Sequence, residues 1–312
     1  MKTIVLGVTL ALLSVTASQA IDCAKADTDL DHAICNNPEL LKADDAMNAA
    51  YQAALRAVGP KMTKPLKADA ANWADTRYDN CTMDEAGDPE KPEDIISCLV
   101  TDTTRRTAFL SGMPLEGPGF GEAMLPQVMT GADDIYNEYL RFTAPKAPAA
   151  KAFNAALDKD LKNVRMAKST DHMSDSFQLK LAYASPDLIS ANVDTDYEEG
   201  YAHPMVANVA INIDGKTGKI LTMADALDAE GLKAVEANCA EQAKDYISAS
   251  EEGGDVRADN IKSMVDDLNF WTFGATSANL QYAEYGMDSY PGCTLGYDTL
   301  KPLMKSSFPL PH

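Results

Sequence analysis

Two spacings of apolar residues divide the chain. Up to about residue 110, apolar positions recur every three or four residues, the period of a helix with one buried face. From Asn37, which can cap, and Pro38 at the first helical position, Leu40, Met47, Tyr51, Leu55 and Val58 line one side of a long helix. A shorter turn of helix, Asp29 to Cys35, precedes it. A second helix is expected from about Pro65 to Asn80. A third is expected from about Glu93 to Leu110, with Ile95, Leu99, Arg106 and Leu110 inward and a stop at Gly112. Beyond residue 175 the period changes to two: "SFQLKLAY" (176–183), "LISANVDTDY" (188–197) and "MVANVAINID" (205–214) alternate as strands, the last ending in the turn "DGKTGK". Helical spacing returns in "MADALDAEGLKAVEANCAEQAKDYI", and strands return in "LNFWTFG" and "SANLQYAEY". The pattern predicts a small three-helix domain followed by an α+β domain with a mainly antiparallel sheet.

The stretch "GMPLEGPGFG" (112–121) is dense in residues that cannot continue a helix, and it marks a boundary. At the other end, "MKTIVLGVTLALLSVTASQA" has one charge, a short apolar run and small residues before position 21, the layout of a secretory signal cleaved after Ala20. The expected organisation is a signal at 1–20, a helical domain at 21–112, a linker at 113–149 and an α+β domain at 150–312. No stretch after the signal has the length and apolarity of a membrane span, so the mature chain is expected to be soluble and exported.

Six cysteines (23, 35, 81, 98, 239, 293) fit an oxidising compartment. None forms a CxxC pair, and the four histidines (32, 172, 203, 312) are scattered, so no metal or other cofactor is expected. Without Lys2 the chain carries 26 basic and 47 acidic side chains. Such an excess excludes nucleic acid and anionic membrane surfaces as partners and favours a cationic one.

In "WADTRYDNC", Trp73, Arg77 and Cys81 fall four apart, which would place an arginine in the inward stripe of the second helix. That segment offers no Ser–His pair and no paired acids, so a scaffold role is favoured over a catalytic one. Together with "CAKADTDLDHAIC", "DDAMNAAY" and "CLVTDTTRRTAFL", the stretch resembles the LprI-type lysozyme-inhibitor domain over roughly residues 23–110. One departure is Ala70, where that family often has glutamine. Taken with this resemblance, Arg77 and Trp73 pack on the first long helix, among Asp44, Asn48 and Tyr51. Arg77 stacks on an aromatic ring and pairs with Asp44 or is hydrogen-bonded by Asn48, and Arg106 is a second candidate for the same carboxylate.

The later half, in "DLISANVDTDYEEGYAHP", "NIDGKTGKILTMADAL" and "GCTLGYDTLKPLM", is similar to the C-terminal module of RsiV-like proteins over about 150–305, with Tyr201 where that family has glycine. That resemblance implies recognition of lysozyme. Disulfide connectivity stays open at this point, with Cys23–Cys35, Cys81–Cys98 and Cys239–Cys293 favoured.

No local pattern supports an enzyme. His203 has no second ligand nearby, "DTDYEEG" lacks the glycine and closing glutamate of a calcium loop, and Ser277 lacks the spacing of a nucleophile elbow. One surface stands out. On the strand "NVDTDYEEG", Asp194, Asp196 and Glu198 share a face, roughly 6–7 Å apart by strand geometry. Glu199 and Tyr201 would extend the patch towards a cationic partner. The reading is an exported, non-enzymatic binding protein whose partner is lysozyme, with a cell-wall glycan as the alternative.

Overall fold

The computed structural model describes residues 21–82, 90–130, 136–162, 176–197, 205–249, 258–281 and 292–311. The signal segment lies outside them. Four helices form the N-terminal unit: α1 (Asp29–Asn36), α2 (Pro38–Ala57), α3 (Pro60–Thr76) and α4 (Pro92–Ser111). Asn37 caps α2 by accepting from the amides of Glu39 and Leu40, and Pro38 occupies its first turn. Gly112 ends α4 at φ +64°, where an added Cβ would meet the Met124 carbonyl oxygen at 2.1 Å. Disulfide Cys23–Cys35 ties the leading turn to α1, Cys81–Cys98 ties the turn after α3 to α4, and Cys81 packs in the same cluster as Ile34.

Two details differ from the sequence expectation. Helix α3 begins at Pro60 and carries Pro65 inside, because Met62 and Leu66 pack inward on both sides of that missing donor. It also ends at Thr76. Arg77 is its C-cap and Cys81 sits in a separate 3-10 turn (Asp79–Cys81), so the three residues do not lie along one continuous helical stripe.

A five-stranded sheet follows, in the order β1 (Met124–Thr130), β2 (Tyr136–Phe142), β3 (Ser176–Ala184), β4 (Leu188–Tyr197) and β5 (Met205–Asp214). All neighbours are antiparallel except β2 and β3, which are parallel and bracket helix α5 (Pro148–Leu161). A parallel pair needs such a crossover. The segment expected as linker, 113–149, therefore carries two strands of the sheet and the lead-in to α5. Its Gly- and Pro-rich start is also hydrogen-bonded along β3, from the amides of Leu115 and Glu116 to the carbonyls of Leu181 and Ala182. The density of Gly and Pro hid this, although the strand itself alternates, with Met124, Pro126 and Val128 buried between partly exposed Leu125, Gln127 and Met129.

Helix α5 packs Ala149, Ala150, Phe153 and Leu157 against one sheet face, over Leu181, Ile189, Ala191 and Ile211. Behind the other face stand α6 (Met223–Ala226), α7 (Ala229–Ala249), α8 (Ala258–Asp266), a small antiparallel sheet of β6 (Trp271–Phe273), β7 (Ser277–Leu280) and β8 (Cys293–Gly296), and α9 (Tyr297–Leu300). A buried polar seam joins the two sheets: Ser190 Oγ donates to Asn212 Oδ1 at 2.7 Å, and Asn212 Nδ2 donates to the carbonyls of Leu268 and Trp271. Cys239–Cys293 ties α7 to β8.

Candidate functional site

The helical unit covers the β1–β2 part of the sheet. Val128 inserts among Met47, Leu66 and Leu110, and the Val128 amide donates to Met62 Sδ at 3.2 Å. At this seam α3 contributes Asp69 and Trp73, α4 contributes Asp102 and Arg106, and β2 contributes Glu138. Arg106 is 4% exposed and forks between the carboxylates of Asp69 and Glu138. It is therefore not a partner of Asp44: α4 directs it towards the sheet. Its guanidinium also lies 5.6 Å from the Trp73 ring and 5.2 Å from that of Phe109.

Arg77 serves a different carboxylate. Its Nη1 stands 2.9 Å from Asp44 Oδ1 on α2, and its guanidinium lies 4.7 Å from the Trp73 ring. Neither atom of that contact has hydrogen-bond geometry, so the pair is held by charge. Asn48 Nδ2 donates to Asp44 Oδ2 at 2.9 Å. Trp73 thus stands between two arginines, and its Nε1 donates to Asp102 Oδ2 at 2.8 Å. Tyr51 packs in the same helical core, and burial raises its pKa.

Two acids on one guanidinium leave a surplus of negative charge in the seam. Burial of Glu138, reinforced by the neighbouring charge of Asp69 and opposed by Arg106, pushes its carboxyl up to about 8. For Arg106 burial disfavours the charge, but Glu138 and Asp69 outweigh it and the pKa rises. The folded protein therefore keeps a proton on the seam that the unfolded chain releases near pH 4.5. Stability should fall as pH rises from about 4.5 towards about 8, by up to about 1.4 kcal/mol per pH unit for this group alone, and no further above that. In urea unfolding from pH 5 to 9, Glu138→Gln should gain on the wild type as pH rises. A constant difference between the two proteins would show that Glu138 is ionised throughout.

A cavity of about 160 Å³ opens beside this cluster, walled by Trp73, Phe109, Leu140 and Leu179, with Arg105 and Lys180 also lining it. A second hollow of about 260 Å³ beside the Cys81–Cys98 disulfide shares Asp102 and Arg105 with it.

The acidic strand takes a different form from the one expected. Asp194 is half-buried: Lys180 Nζ lies 2.7 Å from Oδ2, and Asn192 Nδ2 donates to Oδ1 at 2.6 Å. It does not stand free in solvent, because the neighbouring strand β3 supplies its cation. Asp196 pairs with Val206 across β4–β5 in the backbone register, while Glu198, Glu199 and Tyr201 lie outside the described residues. His203 lies outside them too. Among the described residues no group of acids, histidines and cysteines could hold a metal ion, and no helix is long and apolar enough to cross a membrane.

Sequence reasoning missed Asp69, Asp102 and Glu138. Two of them carry a helical signal, since Asp69 stands four before Trp73 and Asp102 four before Arg106. Glu138 carries none, being one acid in a segment read as a linker.

No curated protein matches the chain. A crystal structure of a DUF3298 family protein from Pseudomonas aeruginosa is similar at 18% identity over 62% of this chain and 100% of that one, with a TM-score of 0.36. A DUF3298 family member from Bacteroides fragilis is similar at 11% identity over 51% of this chain, with a TM-score of 0.34, and the likeness spans 64% of that protein's length. The lysozyme inhibitor LprI family matches residues 22–110. The unit that supplies Asp44, Trp73, Arg77 and Arg106 is thus the part of the chain similar to that family.

Proposed function

We propose that this protein is an exported, non-enzymatic lysozyme-binding factor of the bacterial envelope that acts as a lysozyme inhibitor. The observation that carries the reading is the match of residues 22–110 to the lysozyme inhibitor LprI family. Three disulfides support passage through an oxidising compartment. The excess of acidic over basic side chains, 47 against 27, supports a cationic partner such as lysozyme. The RsiV-like pattern of the later half supports the same partner, with Asp196, Glu198, Glu199 and Tyr201 as the candidate contact residues. Asp194 contributes less there, since Lys180 already neutralises it.

The test passes the mature protein over immobilised lysozymes of several classes, with soluble cell-wall sugars as competitors, and measures lysis of cell-wall suspensions in parallel. Saturable binding to at least one class should weaken about tenfold or more between low and high ionic strength, because the attraction is one of net charge. Lysis by that lysozyme should slow in proportion to occupancy. Tight sugar binding with no lysozyme signal would replace this reading with that of a glycan-binding module.

A further inference from the structure

The protein as a whole is acidic, yet the seam cavity is lined by an exposed arginine and an exposed amide. Arg105 is solvent-exposed and has no ion-pair partner among the described residues. Arg106 lines the same cavity, and its Nε is buried without a hydrogen-bond partner even though both terminal nitrogens are engaged. That N–H is fully shielded from the cavity, so the free donors a ligand would meet are those of Arg105 and Gln178. Gln178, exposed on β3, adds an amide to the lining. The two acids that line it are already occupied, Asp102 by the Trp73 indole and Glu138 by Arg106, and nearby Asp69 and Asp194 are paired with Arg106 and Lys180. The rest of the wall is apolar, from Phe109, Leu140, Leu179 and Leu181. At about 160 Å³ the space matches cavities that admit a six-carbon ring, and so fits one aliphatic side chain or a comparable group.

We propose that this cavity binds a compact carboxylate on an acylated, apolar body, with Arg105 taking the carboxylate, Gln178 offering a further donor, and Leu140, Leu179 and Phe109 holding the apolar group. A guanidinium presents a planar fork that suits a carboxylate, and the apolar wall gives the ligand's body a dry contact that a bare inorganic anion would lack. Two sources share this chemistry: a free acylated amino acid, and the C-terminal residue of a peptide. The adjoining hollow beside the Cys81–Cys98 disulfide continues from Asp102 and Arg105, and gives a longer chain a way out of the cavity. The site stands on its own geometry and is independent of lysozyme binding.

Isothermal titration of the mature protein tests it, with N-acetyl-leucine, its carboxamide N-acetyl-leucinamide, and an N-acetylated tripeptide ending in leucine with a free carboxylate. The acid should bind saturably and the amide about tenfold or more weakly, since a charge-assisted hydrogen bond to carboxylate is lost. Arg105→Gln and Gln178→Glu, both at exposed positions, should each weaken the acid by a similar factor while the unfolding transition stays in place. Trp73 borders the cavity and Trp271 is fully buried elsewhere, so the acid should also alter indole fluorescence, and this change should be lost in Trp73→Phe. Binding of the peptide as well as the acid assigns the site to chain ends, and binding of the acid alone assigns it to free small molecules. Equal affinity for acid and amide, indifference to both substitutions, or no saturation up to about 10 mM would overturn the proposal.

Discussion

Replacing Arg106 with alanine is expected to remove about 3–5 kcal/mol of stability. Arg106 alone answers two buried carboxylates, and they belong to different parts of the fold: Asp69 to the helical unit and Glu138 to the sheet. Without the guanidinium, the Asp69 carboxylate loses its counter-charge beside Glu138, which holds its proton up to about pH 8, in a site too dry to solvate an unpaired charge. Lysine should not rescue the loss, because a single ammonium cannot fork between two acids as a guanidinium does. Removing the charges together should rescue it. A triple variant, Arg106→Met with Asp69→Asn and Glu138→Gln, should recover most of the lost stability, since a buried ion cluster is often replaceable by apolar and neutral groups of similar shape. Urea unfolding followed by both fluorescence and circular dichroism is the measurement. In Arg106→Ala the two signals should separate, with the helical unit opening before the sheet. A single transition with an unchanged midpoint would mean the seam is held by Val128 and its apolar neighbours alone.

The same residues show what the sequence could and could not reveal. The helices of the first unit and strands β3, β4 and β5 were legible because each has one buried face, so apolar residues fall at a fixed period. Arg77 was legible as a buried charge because it breaks such a period. Arg106 was legible as inward-facing, but its partners were not, because Asp69 lies 37 positions before it and Glu138 32 positions after it, separations no local period encodes. Strand β1 contains Pro126 and follows a Gly- and Pro-rich lead, so composition masked a short strand whose place is fixed by packing against α3 and α4. Asp194 shows the converse. Strand alternation put it in solvent, but it is half-buried and its neutraliser, Lys180, sits on an adjacent strand whose register becomes known only with the sheet formed. The parts of a site that depend on tertiary register are the parts that a period cannot supply.

Arg77→Ala should lower stability by about 2–4 kcal/mol and leave lysozyme binding nearly unchanged when both are measured well below the melting transition. The loss has two parts. Asp44, itself 3% exposed, would keep only the Asn48 amide as a partner, and Trp73 would lose the cation 4.7 Å from its ring. Asp44→Asn should cost less than Arg77→Ala, because asparagine keeps the acceptor for Asn48 and leaves Arg77 on the indole. The double variant Arg77→Ala with Asp44→Asn should cost less than the sum of the singles, since each change removes the reason the other is harmful. Unlike the seam arginine, Arg77 joins α3 to α2 inside one unit, so its loss should shift a single transition instead of splitting it. The contrast separates two uses of a buried arginine, one within the helical unit and one between that unit and the sheet. A folded, equally stable Arg77→Ala protein that no longer binds lysozyme would move Arg77 from the framework to the contact surface.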